Sequence, residues 1–350
     1  MKKIIDLRSD TVTKPCRKML QAIMTATVGD NYYKEDQVTN ELEKHCADYF
    51  GVEEALFMVT GTMANQVALR CNTVAGEEVI ADKYSHIVYY CARPVADLAK
   101  ISLNIVDAKE GVITLDDILT AKSTRYRSDL VSYPKLIWLE NTINHYSGKI
   151  YPLDELKKIY KFSKENGLKI HMDGARLLNA CIAGNISPRA YTQYTDSMTV
   201  SFSKALGAPA GSILLGRKKL ISHARVYQKW YGGGLHQSGV LASTCLFALQ
   251  NNINCISVDH QNAKLLAQLS TQDLDRDIIL MNPVETNIVM FNIKELKISV
   301  DTFIDMAKDQ SILLYRWNDS LVRAVTHKDI NRDEIVIAGE IINKIFKSIS

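Results

Sequence analysis

The chain has 350 residues, 47% of them hydrophobic and 23% charged, with only 17 Gly and 7 Pro. These values exclude disordered, collagen-like and low-complexity classes and describe a globular chain long enough to bury a core without a disulfide or metal staple. The 42 Lys+Arg against 39 Asp+Glu leave a charge of +3, with no long basic run to imply nucleic acid. No apolar run reaches the roughly 18 residues of a membrane span.

At the start of the chain Lys2 and Lys3 resemble a signal n-region, but Asp6, Arg8 and Asp10 interrupt any apolar h-region, so no secretory signal is expected. The seven cysteines (Cys16, Cys46, Cys71, Cys91, Cys181, Cys245 and Cys255) are odd in number and form no CxxC pair. Neither a zinc site nor a disulfide framework is expected, and a reducing cytoplasm fits.

The first predicted helix covers residues 38–50, where Leu42, His45, Cys46 and Tyr49 share one face. A second helix follows at 63–72 and a short apolar strand at 78–81. Further along come a strand at 136–139, a helix at 154–165 and strands at 170–172, 198–202 and 212–215, then a helix at 218–230. Short apolar runs alternating with helices predict an α/β fold, a mostly parallel sheet covered on both faces. A helix at 240–251 joins this part to a second pattern. There, residues 287–292, 312–315 and 321–325 read as strands, and 332–348 as a closing helix with apolar Ile335, Ala338, Ile341, Ile342 and Ile345. The expected division is a large domain over 1–250, with the N-terminal segment, and a small α+β domain over 251–350.

Four local signals fall at or near ends of predicted strands, where ligands collect in open α/β sheets. Thr60-Gly61-Thr62 opens the 63–72 helix, whose free N–H groups and dipole favour an anion; such helix starts are also common without a ligand. Asp173 and Arg176, in Asp173-Gly174-Ala175-Arg176, follow the 170–172 strand. The carboxylate there suits a protonated ring nitrogen, or equally the cap of the next helix. Lys204, in Ser203-Lys204-Ala205-Leu206-Gly207, follows the 198–202 strand. There its amine suits Schiff-base chemistry; a solvated loop lysine would read the same. The fourth is Gly232-Gly233-Gly234 followed by His236, which reads either as close approach to a ligand or neighbouring subunit, or as a flexible loop. The order of the first three, phosphate cradle, ring-nitrogen carboxylate and strand-end lysine, is that of fold type I enzymes dependent on pyridoxal 5'-phosphate (PLP).

Over nearly its whole length the sequence resembles the low-specificity L-threonine aldolases, in the PLP-dependent β-eliminating lyase and aldolase group. The likeness rests on Asp6-Leu7-Arg8-Ser9-Asp10-Thr11-Val12-Thr13, Val28-Gly29-Asp30, Tyr33 with Glu35-Asp36, Ser85-His86-Ile87, Glu140-Asn141-Thr142, Asp173-Gly174-Ala175-Arg176, Ser203-Lys204, Leu206-Gly207-Ala208-Pro209, Gly232–Gly234 and Leu321-Val322-Arg323-Ala324-Val325-Thr326-His327.

The resemblance implies a PLP-dependent transferase-like fold and a role for each matching residue. Lys204 would carry PLP, Asp173 would pair with its ring nitrogen, and His86 would stack on the ring and help take the β-hydroxyl proton. Gly61 and Thr62 would bind the phosphate, with Lys229 reaching it from a neighbouring subunit. Ser9, Arg176 and Arg323 would hold the substrate α-carboxylate, the guanidinium being its matched planar donor. Tyr33 would lie near the substrate or in the neighbouring protomer's site. The implied partners are a small amino acid and a second copy of the chain, in a homodimer or homotetramer with sites at the protomer interface. The implied reaction cleaves L-threonine, L-allo-threonine or a related β-hydroxy-α-amino acid to glycine and an aldehyde.

Five positions depart from the pattern. Ile143 stands where the family has a histidine, with His145 close by; Leu130 stands at the place of a second histidine. Lys34 replaces a glycine, Cys91 an acidic residue, and His236 an arginine. The cofactor side is retained and the substrate side altered, so β-elimination, transaldol exchange or racemisation of an amino acid is the alternative reading.

Overall fold

The computed structural model describes all residues except 1–2, 124–129, 131, 276–278, 297 and 350. Its strands in chain order are β1 (Ile5–Asp6), β2 (Glu54–Met58), β3 (Glu78–Asp82), β4 (Ser102–Val106), β5 (Pro134–Glu140), β6 (Lys169–Gly174), β7 (Ser197–Ser201), β8 (Ser212–Gly216), β9 (Ile288–Asn292), β10 (Ile312–Leu313), β11 (Tyr315–Arg316) and β12 (Leu321–Val325). Seven of them form one sheet in the order β2-β8-β7-β6-β5-β3-β4. From β7 to β4 neighbouring strands run parallel. Every residue of β3, β7 and β8 is buried, which is why these strands read as continuous apolar runs.

β8 is antiparallel to both β7 and β2. A parallel crossover needs about a dozen residues or more, and the 202–211 connection is too short for one. The chain therefore turns back on itself at the carboxyl end of β7, and this return carries Lys204. Three strands escaped the sequence reading, one of them β1, which is only two residues long. β4 is a sheet edge with mixed exposure, and β2 is a short edge strand just after a helix. Nor did the apolar spacing reveal helices at Arg17–Met24, Leu115–Ser123 and Cys255–Ser270.

The helix expected at 63–72 begins earlier and covers Gly61–Asn72. Thr60 is its N-cap, the hydroxyl oxygen accepting from the Met63 N–H at 3.1 Å. That shift places Gly61 and Thr62 in the first turn, where N–H groups lack partners within the helix.

Beyond the large sheet, β11, β12 and β9 form a small antiparallel sheet packed on Cys255–Ser270, Val300–Asp309 and Arg332–Ile349. The strand expected at 312–315 is split: β10 pairs in parallel with β1, and β11 pairs with β12. Phe291, Phe303 and Phe346 form the aromatic centre of this second core. Ile5 and Leu7 belong to the same core, so the N-terminal segment is anchored there before it delivers Ser9 and Asp10 to the large sheet. Among the described residues no helix is long and apolar enough to cross a membrane.

Gly174 closes β6 directly after Asp173. A Cβ at this position would lie 2.7 Å from the backbone oxygen of Thr199 on β7. Gly174→Ala must therefore push β6 from β7; the expected loss is about 1–3 kcal/mol, measured by urea unfolding.

Candidate active site

The carboxyl ends of β5 and β6, the loop after β7 and the start of the Gly61–Asn72 helix surround a cavity of about 260 Å³. Its lining includes Gly61, Thr62, Asn65, His86, Glu140, Asn144, Asp173, Arg176 and Lys204. The structure thus brings together six of the residues singled out from the sequence: Gly61, Thr62, His86, Asp173, Arg176 and Lys204.

Asp173 is held rigidly. Asn65 Nδ2 donates to its Oδ2 at 2.7 Å and the Ala175 N–H to its Oδ1 at 3.1 Å. Thr199 donates to Asn65 Oδ1 at 2.9 Å, fixing the amide so that its nitrogen faces the carboxylate. The capping alternative for Asp173 is thus only a local contact to Ala175, two residues on. Opposite, Lys204 is half-buried and lines the cavity. Burial, reinforced by the charge of Arg176, lowers its pKa to about 8. Its carbonyl accepts from the Gly207 N–H at 2.8 Å and from the Thr13 hydroxyl at 3.0 Å. This is not a solvated loop lysine.

His86 opens a short helix after β3, and burial lowers its pKa, so its ring is neutral at neutral pH. Its Nδ1 is buried without a partner. His86 also lines the cavity, and a buried polar atom without a partner calls for an explanation that a bound ligand would supply.

Arg176 uses two donors on Asp10: Nε to Oδ2 and Nη2 to Oδ1, both at 2.7 Å. Burial by itself would raise the Asp10 carboxyl, but the Arg176 charge and hydrogen bonds override it and hold the carboxyl well below the usual range. Arg323 comes from β12. Its Nη1 donates to Asn144 Oδ1 at 3.2 Å, its Nη2 to the Arg8 carbonyl at 3.1 Å, and its Nε is buried without a partner. Trp317 and Tyr315 lie 4.8 and 4.9 Å from its guanidinium carbon. Burial, then the charge of Arg176, lowers its pKa to about 10. Ser9 sits between Arg8 and Asp10, the residues that hold the two guanidiniums, and its hydroxyl accepts from the Thr11 N–H at 3.3 Å.

Lys229 and Tyr33 do not line this cavity. Lys229 Nζ lies 3.9 Å from the centre of the Tyr32 ring, in a separate surface cavity; Tyr33 is exposed, its ring edge-on to Tyr32. Within one chain they form a second surface, not part of the first.

The departures also find places. Ile143 is a core residue, packed so closely that a Cβ on Gly111 would lie 2.6 Å from it. His145 is buried, stacked on Tyr84 at 3.7 Å, and accepts from Trp317 Nε1 at 2.8 Å through Nδ1. Burial lowers its pKa to about 4, so it remains a neutral acceptor supporting Trp317, not a substitute base. Cys91 is buried, which raises its thiol pKa. Leu130 and His236 are exposed, the latter 3.2 Å from Asp30, and Lys34 takes a left-handed turn with φ 61°.

Sequence reading missed Asn65, Thr199 and the task of Asp10. Asp10 and Glu140 lay inside motifs that were recognised, but neither carried a sign of its partner.

The residues fit PLP. The helix N-terminus suits its phosphate, Asp173 its ring nitrogen and the lowered amine of Lys204 its aldehyde, and His86 Nδ1 lacks a partner. Sheet order and cavity together define an α/β protein of the fold type I class of PLP enzymes. The chain belongs to the beta-eliminating lyase family, whose model matches residues 6–296. It is similar to the low specificity L-threonine aldolase of Escherichia coli, with 36% identity over 335 residues covering 95% of this chain and 96% of that one. Its fold matches the threonine aldolase of Leishmania major with a TM-score of 0.83 at 20% identity, over 97% of this chain and 99% of that one. A solved SPT structure with PLP matches at a TM-score of 0.73 and 15% identity, over 99% and 88%.

Proposed function

We propose that this protein is a PLP-dependent aldolase that cleaves L-threonine, L-allo-threonine or a related β-hydroxy-α-amino acid to glycine and an aldehyde. The observation that carries the reading is one cavity holding a half-buried lysine, a fixed carboxylate and a helix N-terminus beside two guanidiniums. PLP, when bound, supplies the electron sink for Cα–Cβ cleavage.

The protein's own part is orientation and proton control. Asp173, locked by Asn65 and Ala175, keeps its charge aimed at the ring nitrogen. Arg176, which lines the cavity, and Arg323, which shares Asn144 Oδ1 with it, hold the substrate carboxylate, with Ser9 next to Arg8 and Asp10 in the chain. Fixing the carboxylate sets the scissile bond against the ring, an orientation effect. His86, neutral and with a free Nδ1, accepts the β-hydroxyl proton. Lys229 and Tyr33 serve a neighbouring protomer's site from their exposed surface.

The test is direct. The purified protein is incubated with PLP and each threonine isomer, and glycine and acetaldehyde are assayed. Both products in equal amount support the aldolase; a coloured protein that forms other products moves the assignment to β-elimination, transaldol exchange or racemisation. One observation favours that second reading: His86 is the one imidazole lining the cavity among the described residues.

Lys204 must lose its proton before it condenses with a carbonyl. With the pKa lowered to about 8, PLP uptake by the cofactor-free protein is expected to rise with pH around a midpoint of about 8, not 10.5. Stopped-flow absorbance measures this, and a midpoint near the ordinary lysine value would contradict the half-buried placement.

A further inference from the structure

The proposed function leaves Glu140 without a task. It ends β5 in register with Asp173 on β6, and it lines the cavity. Two neighbouring carboxylates at the carboxyl ends of two central strands are costly. Burial, then the charge of Asp173, raises the Glu140 pKa to about 7. The other ionisable groups that act on it or feel it are Lys204 from the loop after β7, Arg176 after β6 and Tyr90 beyond the His86 turn.

What the carboxylate does is visible in its two oxygens. Oε2 accepts the backbone N–H of His86 at 3.1 Å. Oε1 accepts the backbone N–H of Asn144 at 3.0 Å. These amides belong to different parts of the cavity wall, the turn after β3 and the turn after β5. Asn144 in turn offers Oδ1 to Arg176 Nη1 at 3.3 Å and to Arg323 Nη1 at 3.2 Å, a single acceptor shared by two cations. The ionised form, which predominates above about pH 7, accepts both N–H groups; a neutral amide has one acceptor oxygen and would turn its NH2 toward the second N–H.

We propose that Glu140 is a positioning residue whose carboxylate locks the His86 wall to the Asn144–Arg176–Arg323 wall, so that ring face and carboxylate clamp keep one spacing. The hydrogen bonding stands by itself; its consequence for turnover rests on the aldolase reading.

The test is Glu140→Gln, close to isosteric, with Glu140→Asp as the variant that keeps the charge but is too short to span both amides. Amide hydrogen exchange at His86 and Asn144 is measured on the full chain with and without PLP, and KM and kcat for L-threonine are measured in parallel. In Glu140→Gln, whose single acceptor oxygen can serve only one of the two N–H groups, at least one of the amides is expected to exchange about tenfold faster or more, with KM raised and kcat lowered by about tenfold each. Glu140→Asp, too short to reach both N–H groups, is likewise expected to protect one amide only. Wild-type protection at both amides in Glu140→Gln would overturn the proposal. So would loosened amides with unchanged KM and kcat, even if the melting temperature falls, because that pattern describes a merely structural carboxylate. If the wild-type protein does not cleave threonine, the aldolase reading fails, and the exchange result still decides whether the walls are joined.

Discussion

Lys204→Ala is expected to lower L-threonine cleavage by more than about ten-thousand-fold, the scale on which loss of a covalent catalytic group is felt. The visible absorbance of covalently held PLP should vanish with it. Among the described residues Lys204 is the one lysine lining the cavity. Its loop is fastened by main-chain contacts that the substitution leaves in place, namely Gly207 and Thr13 on the residue's carbonyl. The folded state should therefore survive, and the desolvation cost of a half-buried amine disappears. Absorbance spectra with added PLP, circular dichroism and the acetaldehyde assay separate loss of chemistry from loss of fold. Persistence of the visible band would mean that another amine carries the cofactor.

The second large effect is on stability. Asp10→Asn removes the carboxylate that takes two hydrogen bonds from Arg176, and leaves that guanidinium buried beside Arg323. Breaking a buried pair by removing one partner typically costs about 3–5 kcal/mol, and that loss is expected in urea unfolding. A loss below about 1 kcal/mol would contradict the burial of the pair. The pH behaviour of the wild type follows from the sign of the shift. The folded carboxyl lies below its ordinary value of 3.8, so its contribution is fully present above that value. It is lost only as pH falls below 3.8 toward the folded value. The contribution of this pair should thus be flat from neutral pH down to about 5. KM should rise as well, because the substrate carboxylate would meet a displaced Arg176.

Much of this molecule is written locally. The strands around Ile170 and Val200 are short, apolar and bounded by polar residues, so their burial on both faces is evident in the chain itself. The helices at Gln37–Phe50 and Lys218–Trp230 carry their apolar faces in their spacing and end within a residue of where that spacing stops. Lys204, Asp173 and Gly61 were found because each stands at the end of an element, a place that chain order reveals. Edge strands such as β4 were not found, since mixed exposure breaks the pattern that identifies buried strands.

Pairings between distant parts of the chain were beyond reach. Nothing in the opening residues says that Asp10 will meet Arg176, or that Ile5 and Leu7 will enter the core built by the last hundred residues. Equally, nothing near His145 says that Tyr84 and Trp317 will clamp it into a neutral acceptor and remove it from base chemistry.

The 350 residues and the near-neutral charge of +3 first defined only a globular chain with no polyanion to bind. Residue order then determined the α/β class and the family resemblance, because periodicity and short motifs report on neighbours within a turn or a strand. The tertiary structure alone decided which charges are paired, which imidazoles can accept a proton and where the carboxylate of Glu140 is spent. Those properties depend on burial and on partners far away in sequence, and both exist only once the sheet has closed around the cavity.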